Sequence, residues 1–259
     1  MKLLRIGLIA AGLFAGTRAL AQVVLPQATA PAVPEGMVDR PCPAGSAQVQ
    51  PPWDWAWLCK YQAQNRLLAA PPRVVFIGDS ITEWWLPKAP ALFAGGTIDR
   101  GISGQTSPQI LLRFYQDVIA LRPRVVHILI GTNDLAGNTG PTSPEEYTNN
   151  IKAMTDLAQA NGIAVAIGSI PPAARFPWKP ALTPAAQIVT LNRWLADFAR
   201  TRGAAFADYY AVLADEQGAM KPGLSTDGVH PTAAGYAAME PVARKAVAEA
   251  LKLAGSQRR

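Results

Sequence analysis

Only two histidines stand among the 259 residues, and one of them, His230, follows Asp227 by three positions in Thr226-Asp227-Gly228-Val229-His230-Pro231. A carboxylate at that spacing can curl back to the imidazole Nδ1 and leave Nε2 free to take a proton from a nucleophile. Ser80 is the matching hydroxyl. It ends an apolar run, Val74-Val75-Phe76-Ile77-Gly78-Asp79-Ser80, in the manner of a buried strand stopping at a sharp turn. The competing reading of Ser80 is a plain helix cap, and His230 could serve only to open the last helix. His127 lies mid-run in Val125–Ile130, where a buried, hydrogen-bonded structural histidine is expected. Two further loops could bind an oxyanion. Gly104, in Gly101-Ile102-Ser103-Gly104-Gln105-Thr106, could present its N–H at close range, and Asn133, in Gly131-Thr132-Asn133-Asp134, offers a side-chain amide. Taken singly, these are ordinary turn residues.

Their placement decides the matter. Apolar runs predict a strand over 74–78, a second over 97–102, a third over 125–130, a fourth over 163–168 and a short fifth over 204–207. Between them come helix signals: Ser107 as N-cap with Pro108, a capping box from Ser143 to Glu146 with a stop at Asn161-Gly162, and a start at Thr183-Pro184. The last helix is expected from His230-Pro231 to about Leu253, and an amphipathic helix is expected over 53–70 from Trp53, Trp57 and Tyr61. Strands alternating with helices predict an α/β fold: a three-layer α/β/α sandwich, flavodoxin-like, on a mainly parallel five-stranded sheet. Ser80, Gly104, Asn133 and Asp227/His230 then all follow strands and share the carboxyl edge of one sheet, where open α/β sheets bind ligands. Nucleophile, base, orienting acid and oxyanion donors on one edge are what acyl transfer requires.

On these residues the chain resembles the SGNH, or GDSL-type, hydrolases. Gly78-Asp79-Ser80-Ile81 is similar to the family's first block, with Ile81 where the name-giving motif has leucine. Gly104, Asn133 and Asp227-Gly228-Val229-His230-Pro231 are similar to the other three blocks, in order, over about residues 73 to 250. The resemblance implies Ser80 as nucleophile, His230 as base, Asp227 as its orienting acid, and Ser80, Gly104 and Asn133 as the oxyanion hole. It also implies a flavodoxin-like sandwich and a serine esterase needing no metal and no organic cofactor. No Gly-x-Ser-x-Gly elbow occurs, so an α/β-hydrolase lacks its main signature. Trp84, Trp85, Phe176 and Trp178 should lie beside Ser80 and could line the mouth, or simply pack. The expected substrate is a short-acyl or carbohydrate ester. Transfer of the acyl group to a sugar hydroxyl, lysophospholipase or thioesterase activity, and a non-catalytic binding protein are the alternatives.

Composition sets the compartment. Lys2 and Arg5 precede an apolar run from Ile6 to Gly16, and Ala19-Leu20-Ala21 closes the segment, as in a signal peptide cut after Ala21. Residues 1–21 are therefore expected to be removed from a secreted or periplasmic protein. A Pro/Ala-rich extension over 22–52 and one hydrolase domain over 53–259, with its core over 73–253, should follow. Loss of Lys2, Arg5 and Arg18 takes the formal charge from +6 to +3, too small and scattered an excess to call for nucleic acid. No stretch after the leader is apolar for the length a membrane span needs. Cys42 and Cys59, an isolated pair in an exported chain, are expected to form one disulfide.

Overall fold

The computed structural model describes residues 41–257; the leader and most of the Pro/Ala-rich extension lie outside them. Five parallel strands form one sheet: β1 (Val74–Gly78), β2 (Thr97–Gly101), β3 (Val125–Leu129), β4 (Ala164–Gly168) and β5 (Ala205–Ala207), in the order β2-β1-β3-β4-β5. This is the flavodoxin-like order, with the chain reversing its direction of travel between β1 and β3. Every residue of β1, β3 and β4 is buried, which is why those strands read as continuous apolar runs rather than alternating ones.

Side chains alternate between two cores. Val75, Ile77, Val126, Ile128, Val165 and Ile167 meet α4 (Ser107–Phe114), α6 (Pro144–Ala160) and α7 (Ala185–Thr201) on one face. Val74, Phe76, Leu129 and Ala166 meet α3 (Trp85–Lys88), α8 (Tyr209–Leu213) and α9 (Ala233–Gln257) on the other. Three further α-helices are short: α1 (Gln62–Arg66), α2 (Ser80–Glu83) and α5 (Thr132–Ala136). The result is the expected α/β/α sandwich.

Several boundaries differ from the sequence expectation, each for a local reason. The helix expected over 53–70 shrinks to α1. Asp54 uses both carboxylate oxygens on the amides of Leu58 and Cys59, and Trp57 adopts φ 52, so the backbone closes into turns instead of a helix. Thr106, not Ser107, caps α4: its capping box with Gln109 is complete, and Ser107 turns its hydroxyl to Asp134 at 2.5 Å. The last helix begins at Ala233 rather than at His230. Thr232 Oγ1 accepts from the Gly235 N–H, while Pro231 bridges back to Ser225. The capping box of Ser143 with Glu146 forms as expected.

The Cys42 and Cys59 sulfurs lie 2.00 Å apart, closing a loop of sequence separation 17. Residues 44–48 form turns, and the Trp57 indole N–H donates to the Ser46 carbonyl at 2.6 Å. Reduction, or Cys42→Ser, is expected to lower the unfolding free energy by on the order of 3 kcal/mol through loop entropy. Urea titration with and without dithiothreitol reads this directly.

Candidate active site

β1 ends at Gly78, and Asp79 caps the helix that follows: its Oδ1 accepts from the Ile81 N–H at 2.9 Å. Ser80 is thus the first residue of α2 and not its cap. Its amide belongs to the first-turn group that lacks an intrahelical partner. The side chain is nearly buried, at 6% exposure, and Oγ lies 3.0 Å from His230 Nε2. His230 Nδ1 lies 2.6 Å from Asp227 Oδ2. The other Asp227 oxygen accepts from the amides of Val229 and His230 at 2.9 and 2.8 Å, closing the Asp-Gly-Val-His turn on itself. Partial burial alone would push the Asp227 carboxyl up. The hydrogen bonds from the His230 ring and the two amides outweigh it and hold the carboxyl down at about 2. An ionised carboxylate, an imidazole and a hydroxyl in hydrogen-bonded series can move a proton off the hydroxyl as it attacks.

The two oxyanion candidates arrive from β2 and β3. Gly104 has φ +78 and nothing within 4 Å of where a Cβ would stand, so its amide sits on an open loop tip. Asn133 is buried in α5, and both hydrogens of its amide are already aimed. One goes to the Gln105 carbonyl at 3.0 Å and one to Asp79 Oδ2 at 3.2 Å, while Asn138 Nδ2 donates to its Oδ1 at 2.6 Å. Asp79 therefore touches two elements, capping α2 with one oxygen and accepting the longer of the two Asn133 amide bonds with the other. Burial, and next the charge of Asp134, push its carboxyl up to about 7.

The four aromatic candidates divide. Trp84 and Trp178 are 38% and 40% exposed, with ring centroids 4.3 and 6.1 Å from that of His230. The Trp178 N–H is tied to Asn138 Oδ1 at 2.9 Å. Trp85 and Phe176 are corrections to the sequence expectation: both are fully buried. Trp85 packs against Phe76, Tyr209 and Tyr236, since α3 turns its first residue into the core, and Phe176 stacks beneath Trp178 from the core side. His127 is buried as expected, bonded through Nε2 to the Tyr209 hydroxyl at 2.7 Å. Sequence reasoning missed the bracing roles of Asn138 and Gln105. Nothing in their local sequence marks them, because each acts through a contact made only after folding.

Among the described residues no cluster of His, Cys, Asp or Glu could hold a metal, and no helix is long and apolar enough to cross a membrane. A model of the GDSL-like lipase/acylhydrolase family matches residues 76–238. Among solved structures, a Bacteroides fragilis protein described as an acylhydrolase is 43% identical at TM-score 0.73, over 76% of this chain and 98% of its own. A GDSL-like lipase from Bacteroides thetaiotaomicron is 42% identical at TM-score 0.72, over 75% and 98%. An acetylxylan esterase from Geobacillus stearothermophilus shares the fold at TM-score 0.56 and 19% identity, over 70% and 95%. No match was found among curated proteins. With the matched span running from within β1 through the Asp-Gly-Val-His turn, the chain belongs to the GDSL-like lipase/acylhydrolase family.

Proposed function

We propose that the chain is an exported serine esterase working through an acyl-enzyme on Ser80, with short-acyl or carbohydrate esters as substrates. The observation that carries it is the unbroken series Ser80 Oγ, His230 Nε2, His230 Nδ1 and Asp227 Oδ2 at 3.0 and 2.6 Å. Ser80 Oγ attacks the ester carbonyl and His230 takes its proton. The carbonyl oxygen, now an anion, is held by the amides of Ser80 and Gly104 and by Asn133 Nδ2. Asn133 meets the oxyanion by exchanging its longer bond, the one to Asp79. Proton return from His230 expels the alcohol, and water attacks the acyl-enzyme by the same steps. Export rests on the leader pattern of residues 1–21 and on the disulfide, a bond common in exported proteins and rare in cytosolic ones.

Trp84 and Trp178 support the substrate class. Two partly exposed indoles beside the base can stack on a sugar ring or cover a short acyl chain, and neither is used up by the core. Trp178→Ala is expected to raise KM for an acetylated sugar several-fold and to leave kcat for a small aryl acetate within about twofold, as loss of uniform binding does. The deciding experiment is an aryl ester series of increasing acyl length on the purified protein, with Ser80→Ala beside it. Activity that peaks at short chains and vanishes in the variant supports the reading. Equal, slow hydrolysis by both proteins would end it.

A further inference from the structure

The loop Gly101–Gln105, which carries Gly104, is held by residues that precede the family-matched span. The Tyr61 hydroxyl donates to the Gly101 carbonyl, and Gln105 Nε2 donates to the Ala56 carbonyl at 2.7 Å. Between these two anchors a third contact runs through Glu83, the last residue of the helix that Ser80 begins. One Glu83 oxygen stands 3.3 Å from Lys60 Nζ. The other accepts the Ser103 N–H at 2.7 Å and the Ser103 hydroxyl at 2.5 Å. β2 and α2 also touch directly: a Cβ on Gly101 would lie 2.1 Å from the Glu83 nitrogen. One carboxylate therefore joins the nucleophile's helix, the residue before Gly104, and the segment stapled by Cys42–Cys59.

A partly exposed ion pair adds little to stability. Its consequence here is geometric. The Gly104 N–H belongs to the planar peptide unit that starts at the Ser103 Cα, so once Ser103 is fixed only its ψ rotation, limited by the Gln105 N–H bond to the Ile102 carbonyl at 3.3 Å, sets the direction of that N–H. Two charge-assisted hydrogen bonds to one oxygen are a stiff constraint, and nothing else approaches the open side of Gly104 within 4 Å of its Cβ position. An oxyanion donor is effective only when it lies within a few tenths of an ångström of its working distance.

We propose that Glu83 is a positioning residue that aims the Gly104 amide at the oxyanion. Lys60 holds its carboxylate in place, so the disulfide-stapled segment 42–61 takes part in setting the site. This rests on the esterase reading above. The test uses the full chain with Glu83→Ala, Glu83→Gln and Lys60→Met, an aryl acetate as substrate, and methylboronic acid as a probe that turns tetrahedral on the nucleophile. Glu83→Ala is expected to lower kcat about tenfold or more, short of the loss from deleting a donor outright. KM should stay within about twofold, and boronate inhibition should weaken by a factor similar to the kcat loss. Glu83→Gln, whose amide oxygen still accepts from Ser103, should recover most of kcat, and Lys60→Met should lose only a few-fold. Should Glu83→Ala not fold, Ser103→Ala combined with Lys60→Met carries the same test. Unchanged kcat and boronate affinity in active Glu83→Ala would overturn the proposal alone. A wild-type protein that hydrolyses no ester would overturn the esterase reading and this inference with it.

Discussion

Replacing Ser80 by alanine, His230 by alanine, or both together is expected to cost about the same, on the order of 10⁶ in kcat, because residues that act as one relay fail as one. The geometry supports that unity, since His230 Nε2 has Ser80 Oγ at 3.0 Å as its partner and Nδ1 is committed to Asp227. Asp227→Asn should cost less, on the order of 10⁴, and its mechanism can be followed atom by atom. The amides of Val229 and His230 both donate to Asp227 Oδ1. An asparagine there keeps its carbonyl on those amides and turns its NH₂ toward His230 Nδ1. That nitrogen must then accept, which puts the ring proton on Nε2, facing Ser80, and the base can no longer take the serine proton. Single-turnover hydrolysis of an aryl acetate by the three alanine variants and Asp227→Asn separates these outcomes. A double variant whose loss equals the product of the two single losses would show that Ser80 and His230 act independently, and the relay would fall.

The sheet and its edge were legible in the sequence because buried parallel strands leave continuous apolar runs, and those runs stop just before the candidate site residues. Gly78 closes β1 directly before the pair Asp79-Ser80, and Leu129 closes β3 shortly before Asn133. With only two histidines in the chain and His127 read as buried, His230 was left as the one candidate base. What the sequence did not show was decided by contacts distant along the chain. Trp84 and Trp85 are adjacent and chemically identical, yet one lies beside His230 and the other is sealed among Phe76, Tyr209 and Tyr236. Aromatic spacing at 53, 57 and 61 matched a helix, but the Asp54 carboxylate captured the Leu58 and Cys59 amides first. Proline after His230 looked like a first helical residue, although Pro231 pairs with Ser225 and Thr232 bonds the Gly235 amide. Local signals marked the candidate groups and the strand ends they follow. Which side chain turns inward depended on the two cores.

His127 gives the largest stability effect expected of one residue outside the site. Its ring is stacked on Phe76 at 4.4 Å and bonded to Tyr209, with no solvent exposure. Nδ1 has no hydrogen-bond partner among the described residues, so nothing there receives a second proton. Burial pushes its pKa down from 6.5 to about 3. The unfolded chain therefore binds a proton that the native state refuses. This contribution to stability is complete above pH 6.5 and is lost as the pH falls toward 3, by on the order of 4 to 5 kcal/mol in full. Three carboxyls work in the opposite sense. Asp79 and Asp99 are raised to about 7 and Asp134 to about 6, chiefly by burial. Their contribution is complete below their ordinary pKa near 4 and is lost as the pH rises through 6 to 7. Total stability should thus bend at both ends, and only a difference curve isolates the histidine. His127→Gln keeps a polar partner for Tyr209 and removes the titrating ring. Urea unfolding of both proteins at pH 7.5, 6, 5 and 4 should show the variant less stable at pH 7.5, with the gap shrinking steadily as the pH falls. A gap that stays constant across that range would mean that the buried ring takes its proton as readily in the native state as in the unfolded chain.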